Sequence, residues 1–354
     1  MALRESNPAS YTPKMVSIGP YHKRNLQLRS MNKYKLLYLQ RFLERKEELD
    51  LKSCISELQK LKEKALKSYD DIEDINNDSH EFCEMLLLDG CFVVEFIRER
   101  CGNCPKGEEE IIESNIGCIY NQILRDLMLL ENQLPFFVLN KLHDLTKEDD
   151  ELPLAIQAVF SFTFFVDLEK MIDHYESLKK IATNARNIKH LLHAVHILSC
   201  HGNPMKLKSN AQSTKKSNAV HRFSCLGNPT KTSKDDTVCH MLMPNATELS
   251  KAGVSFAKVS SNNNNNSNSD MTSLFDIKFE DGLMTIPCFQ VVDETEGFLR
   301  NLIAYEQQSS EVQPKYFSDF GNFHGSSYRL RQRCEFASPK RNHKALDGRG
   351  QRRV

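Results

Sequence analysis

A mainly helical chain with a small antiparallel sheet, an α+β class with an irregular helical body, is what this sequence predicts. Three observations lead there. Apolar residues recur at three- and four-residue spacing through most of residues 31–200. From Val254 onward the pattern switches to alternation with a period of two. The chain also has 354 residues, enough to bury a substantial core as one large domain or two small ones.

Residues 1–30 read as an extended, turn-rich lead-in, with Gly19-Pro20 as a strong turn signal. Helical patterning follows over about 31–68. Tyr34, Tyr38 and Phe42 form one stripe, and Leu51, Ile55, Leu58 and Ala65 form a later one. Lysines and arginines dominate the opposite face. Because Glu44, Glu47, Glu48, Glu57 and Glu63 are interspersed among them, that face is expected to be solvated.

The next helix covers about 80–100. Its centre, MLLLDGCFVVEFI at 85–97, is apolar on several sides, as befits a central core helix. Gly90 inside it costs about 1 kcal/mol relative to alanine, so a close neighbour is expected there. Another helix starts near the acidic run 108–110, which suits a helix N-terminus. It leads into DLMLLENQLPFFVLNKL at 126–142, the most informative stretch of the chain. Leu127, Leu130, Leu134, Phe137 and Leu142 recur at roughly helical spacing, but Glu131, Asn132 and Gln133 interrupt them just before Pro135. A proline disfavours helical geometry in the residue before it, so two helical pieces joined by a polar elbow are expected. Leu87, Phe92, Val94, Leu130, Leu134 and Phe137 should share one core.

Further helices are expected at about 152–165, 167–183 and 185–200. Residues 201–236 lose apolar content and gain lysine, serine and asparagine, which marks a flexible connector. A second flexible loop, at about 260–270, holds an asparagine run. Strands are expected near 254–259, 274–280 and 283–287, the last two joined by a turn at Asp281-Gly282. Helix returns at 298–307, completing a body that spans 31–307. Residues 308–354 form a basic tail whose part from Phe320 onward is expected to be disordered.

Composition narrows the function classes. Lys plus Arg and Asp plus Glu each number 47, so the formal net charge is zero and no global charge favours nucleic acid. Eleven cysteines without a repeating framework fit reduced thiols in a cytosolic protein better than a secreted disulfide scaffold. The opening residues hold no long apolar stretch, so a secretory signal is not expected. The longest apolar run, 152–166, falls short of the roughly 20 residues that a membrane span needs. The chain as given is expected to be soluble and cytoplasmic.

Several blocks together resemble one plant-specific family, called domain of unknown function two-four-seven and also described as uncharacterised plant protein family 0481. They are VSIGPYH at 16–22, EMLLLDGCF at 84–92, the stretch 126–142, ATELSKAGV at 246–254, residues 274–287 and RNLIAYEQ at 300–307. They stand in the family's order over about 11–307. Family members resemble one another in ending with a C-terminal transmembrane helix. Here the pattern stops after Gln307, and a C-terminally truncated or mispredicted member is the simplest account. The resemblance implies no established catalysis. It implies membrane anchoring, at the plasma membrane, for full-length relatives, and some relatives are associated with cell-surface or reproductive self-recognition.

Chemical candidates are few. Cys101 and Cys104 have redox or half-zinc spacing, but no second pair completes a zinc site and no strand precedes them. His190, His193 and His196 recur every three residues, so their rings drift around a helix and no His-Glu-x-x-His pattern is present. The trio 131–133 is better suited to satisfying backbone groups at the elbow than to acid–base chemistry. Phosphate loops, dinucleotide fingerprints and nucleophile elbows are absent from the sequence. No catalytic, cofactor-binding or metal residue is therefore assigned, and no cofactor is expected. The leading expectation is an interaction or recognition protein with an unknown protein partner, membrane-associated in full-length form through a helix this chain lacks. The alternative is an enzyme with a cleft lined by Glu131, Asp89 or the histidines. A nonspecific nucleic-acid binder using the basic connector and tail comes third, and no specific nucleic acid is expected.

Overall fold

The computed structural model describes residues 5, 7–70, 79–102, 111, 117–162, 188–201, 246–258, 274–275, 277–287 and 294–327. The expected helix at 167–183, the connector 201–236 beyond its first residue, the asparagine run, Cys104 and the tail beyond 327 lie outside them.

Two 3-10 turns, Pro8–Ser10 and Leu26–Met31, bracket the lead-in. Helix α1, Asn32–Glu44, continues directly from the second. The single helical region expected over 31–68 divides at 45–50, because Asp50 starts a new helix, α2, Leu51–Leu66. The Asp50 carboxylate accepts from the Ser53 amide at 2.8 Å, and the Ser53 hydroxyl accepts from the Asp50 amide at 3.3 Å. This reciprocal capping is a local start signal that the lysine-rich surroundings obscured.

Helix α3, Ser79–Arg100, is the axis of the body. Phe82, Leu86, Cys91, Phe92, Val94, Phe96 and Ile97 are all fully buried, as its apolar circumference requires. It packs against α1, α2, α5 (Phe136–Thr146) and α6 (Leu154–Ser161). The polar elbow is present. Helix α4, Gly117–Leu127, stops well before Pro135, and Pro135 then takes the N-cap position of α5. Leu87, Phe92, Val94 and Leu134 are buried in one cluster, whereas Leu130 and Phe137 are half-buried at its margin. Helix α7, Leu191–His201, starts later than its pattern indicated and packs on α6.

A short helix α8, Ala246–Lys251, leads into β1, Ser255–Lys258. Strands β2, Lys278–Glu280, and β3, Leu283–Ile286, form the expected antiparallel hairpin. Asp281 and Gly282 both have positive φ, 49° and 77°, the geometry that lets a two-residue turn follow the strand twist. The sheet as a whole is mixed, however, in the order β1-β3-β2, with β1 pairing parallel to β3. Alternation announces a strand but carries no information on the direction of its neighbour. The sheet has its own small core of Ile277 and Met284, beside Leu249, Val254 and Ile286.

Helix α9, Thr295–Gln308, packs against α10, Tyr316–Ser327. The latter corrects the expectation of a disordered tail from Phe320, because Phe317 and Phe320 are buried in the main core against Phe275. Two aromatics at helical spacing outweigh the basic composition further along. The lead-in is also more than a surface extension, since Val16 and Ile18 belong to the same core.

A Cβ placed on Gly90 would collide with Leu142 Cδ1 of α5. Gly90→Ala is expected to lower stability by about 1–2 kcal/mol, because overpacking outweighs the helix-propensity gain of about 1 kcal/mol. In a Leu142→Ala background the same change should be neutral or stabilising. Denaturant midpoints of the four proteins in this cycle provide the check.

Candidate functional site

The lead-in crosses the body as extended chain outside any sheet, so its amides need partners from side chains. Asp126 Oδ2, at the end of α4, accepts from the amides of Lys14, Met15 and Val16 at 2.9, 2.6 and 3.0 Å. Burial pushes the Asp126 carboxyl above its usual range, while the Met15 and Val16 amides, Arg125 and the Lys14 amide pull it down. Asn132 accepts from the Ile18 amide at 2.7 Å and donates to the carbonyls of Val16 and Asp126. Gln133 donates to the carbonyls of Leu127 and Leu129 and accepts from the Leu192 amide. Asn132 and Gln133 therefore satisfy backbone groups at the helix break, as the elbow reading required. Gly19 has φ 75° and lies so close to the Gln133 carbonyl that a Cβ would approach its oxygen to 2.7 Å. Its amide donates to Asp89 Oδ2 at 2.9 Å.

Where the lead-in leaves this anchor, a cleft of about 560 Å³ opens between it and α3. Ser17, Lys23, Arg24, Asn25 and Arg29 line one side with Asn32 from α1, and Glu81, Glu84, Met85 and Leu88 line the other. A buried pair, Lys35 Nζ to Asp89 Oδ1 at 2.5 Å, closes the inner end. Lys35 also donates to the Ser17 carbonyl. At the mouth Lys23 reaches Glu81 at 2.8 Å, and Glu84 lies 3.0 Å from His80. Ser17 Oγ is buried with no partner among the described residues.

Lys35 is the first rung of a charged seam between α1 and α3. Arg41 pairs with Glu99 at 2.7 Å, and Arg45 pairs with Glu95 at 2.7 Å. The expectation of a plain solvated basic face fails for these three residues. They lie beside the stripe of Tyr38 and Phe42, and Tyr38 itself donates to Glu99 at 2.8 Å. The seam continues inward to Arg98, fully buried, which bonds Glu95, Glu151 and Thr146. Burial alone would raise the Glu151 carboxyl, but hydrogen bonds from His143 and Arg98 hold it well below the usual range.

The histidines surround one ring. His190, His193 and His196 lie 5.2, 5.0 and 5.4 Å from the Tyr305 ring on α9. His193 Nδ1 accepts from the Lys189 amide and His190 Nδ1 from the His193 amide, so both cap the start of α7. His196 Nε2 meets Glu306 Oε1 at 2.8 Å, and Glu306 also accepts from the Phe317 and Ser318 amides that begin α10. Burial, then neighbouring positive charge, lowers His190 to about 3 and His193 to about 4.

Of the residues weighed from sequence, only Asp89 lines the cleft; Glu131 and the histidines do not. Cys101 donates to the Gln157 carbonyl at 3.4 Å, and burial raises its thiol. Sequence reasoning missed Arg29 and Asn32, which carry no motif, and Ser17, which lies in the block at 16–22 but was given no role there. Lys35 had a usable signal, since it falls on the same helical face as Tyr38 and Phe42.

A family profile described as plant protein of unknown function, DUF247, matches residues 1–324. The chain belongs to that family, and the match runs past Gln307, where the sequence blocks ended, to include most of α10. Two similar proteins of Arabidopsis thaliana also match. The UPF0481 protein At3g47200 is 37% identical over 139 residues, 39% of this chain and 28% of the relative. The putative UPF0481 protein At3g02645 is 31% identical over 159 residues, 44% of this chain and 28% of the relative. The matched region thus spans less than a third of either relative's length. No solved structure shows a significant match. Among the described residues, no helix is long and apolar enough to cross a membrane.

Removing the Asp126 carboxylate takes the acceptor from one buried amide and two partly buried ones. Asp126→Ala should lower stability by about 2–4 kcal/mol and abolish hydrogen-exchange protection at Met15 and Val16. Retained protection there would show that the amides find other partners.

The imidazoles give a pH test. His190 and His193 are held below the ordinary 6.5, so the fold prefers them neutral. The unfolded chain binds protons first, so stability is full above pH 6.5 and falls as pH drops toward 4. Between pH 6.5 and 5 the loss should approach about 2 kcal/mol per imidazole. Glu151 and Glu306, both lowered, lose their contribution only below about 4.5, and Asp126, raised, shifts stability the opposite way equally in both proteins compared. Denaturant midpoints of the wild type and of His190→Gln/His193→Gln should diverge across it.

Proposed function

We propose that this member of the plant DUF247 family is a non-catalytic recognition module that receives a partner in the cleft between the lead-in and α3. We further propose that its full-length relatives do this as membrane-associated proteins. The observation that carries the reading is the state of the cleft's inner end. Asp89 already accepts from the Gly19 amide and from Lys35, so taking up a substrate proton would weaken the bonds that anchor the lead-in. The amine beside it, Lys35, is itself tied to Asp89 and to the Ser17 carbonyl. What stays open is a polar wall suited to holding a ligand in place.

Mixed acids and bases around the cleft also disfavour nucleic acid, which rewards a continuous basic surface. Arg29 and Asn32 are exposed, so substituting them should leave the fold intact. Proximity labelling in plant cells should yield a set of neighbours for the wild type that is lost with Arg29→Glu/Asn32→Tyr, at equal expression and melting temperature. Identical neighbours for both proteins would refute a recognition role for this cleft.

A further inference from the structure

We infer that the ligand of this cleft is a monocarboxylate with an apolar body, either a small organic acid or the free C-terminus of a peptide. The inference rests on the reading of the cleft as a binding site. It comes from asking which lining groups are already used. Four cationic side chains and three anionic ones line the cleft, leaving one surplus positive charge. Lys35 is taken by Asp89 and Lys23 by Glu81, and Arg24 also has a partner. The Arg29 side chain makes no hydrogen bond or ion pair with any described residue.

Two further donors are unused. The Asn32 side-chain amide has no partner among the described residues, and the buried Ser17 hydroxyl has none either. A guanidinium offers two parallel N–H groups, a geometry that matches a carboxylate. The unused Asn32 amide lines the same cleft and is exposed, whereas the Ser17 hydroxyl is closed off from solvent and needs a rotation to take part. The opposite side argues against a more highly charged ion. Glu81 and Glu84 would face a phosphate dianion, and one surplus positive charge does not offset two negative ones.

The volume decides the rest. About 560 Å³ is far more than one carboxylate occupies, and Leu28, Met85 and Leu88 supply apolar wall. An acid carrying a hydrocarbon or aromatic body fills that space and buries apolar surface on both partners. A bare anion such as acetate leaves most of the cleft to water.

Calorimetric titration of the purified chain tests this with 3-phenylpropionate, acetyl-alanyl-phenylalanine, the two corresponding amides and phenylphosphonate. At least one acid should bind, its amide at least tenfold more weakly, and phenylphosphonate above pH 8 more weakly than the acid. Binding by only one of the two acids identifies the source as small molecule or chain terminus. Arg29→Gln should weaken the acid tenfold or more and Asn32→Ala severalfold, both with unchanged melting temperature. Equal affinity for acid and amide, an unchanged affinity in Arg29→Gln, or no binding by either acid overturns the inference. If the acids fail while cellular neighbours still depend on Arg29, the recognition role stands and only the ligand class is wrong. If the neighbours are also indifferent to Arg29, both readings fall.

Discussion

The structure depends on one carboxylate. The lead-in passes through the core as extended chain with no strand beside it, a path that strands backbone amides unless side chains come to meet them. Asp126 meets three of them at once, and Asn132 and Asp89 take the next two available. Those three side chains come from α4, the elbow and α3. The motif at 16–22 is therefore a place where separate parts of the chain are tied together, and the elbow at 131–133 has its polar residues because it is one side of that tie. Helix α9 joins the same assembly. Asn301 accepts from the Leu130 amide at the elbow and donates to the Ser10 carbonyl in the lead-in, each at 2.9 Å.

The seam between α1 and α3 does a different job. Three cations of α1 meet three acids of α3, mostly out of water, and the last rungs share Glu95 with Arg98. Desolvation offsets much of the attraction in such pairs, so their net effect on stability is modest. Slipping α1 along α3, by contrast, would leave several buried charges unmatched at once. The seam thus acts chiefly to fix register, and register decides where Lys35, Asn32 and the preceding turn with Arg29 stand relative to α3. The shape of the cleft follows from it.

Much of the fold was legible because helices, the elbow and the hairpin turn are local. Hydrophobic spacing located α3, Pro135 located the break, and Asp281-Gly282 located the turn. The role of Asn132 and Gln133 was also legible, since a helix break leaves backbone groups that neighbouring amides can serve. Direction and pairing were not. Nothing in the alternation of 255–258 tells that β1 runs parallel to β3. The charged face of α1 was misjudged because interspersed glutamates elsewhere in 44–63 suggested local solvation. The partners of Lys35, Arg41 and Arg45 are instead Asp89, Glu99 and Glu95, on another helix. The cleft was illegible for the same reason, being bounded by three segments whose only shared property is where they end up.

Three polar seams organise this body, and they differ in what they leave over. Around Asp126 the amides of Lys14, Met15, Val16, Ile18 and Gly19 are matched to side chains. Around Tyr305 His190 and His193 spend a ring nitrogen each on the start of α7, and His196 meets Glu306. Around Arg98 the charges cancel in a closed network. Each arrangement uses most of its polar groups in holding elements together, leaving over the Tyr305 hydroxyl in the second and the Gln157 side-chain oxygen in the third. The cleft lies where the first seam gives way to the α1–α3 seam, at the point where the lead-in turns into α1. There the chain has more donors than the fold uses, in Arg29, Asn32 and Ser17. Asp89 is bound by both Gly19 and Lys35, so the inner end of the cleft is neutralised and does not compete for those donors. Arg29 and Asn32 are exposed, so an acceptor bound there must order their side chains, a cost that its hydrogen bonds and charge attraction have to outweigh. The same junction that ends the lead-in and starts α1 thus decides both which donors the fold uses and which it leaves at the cleft.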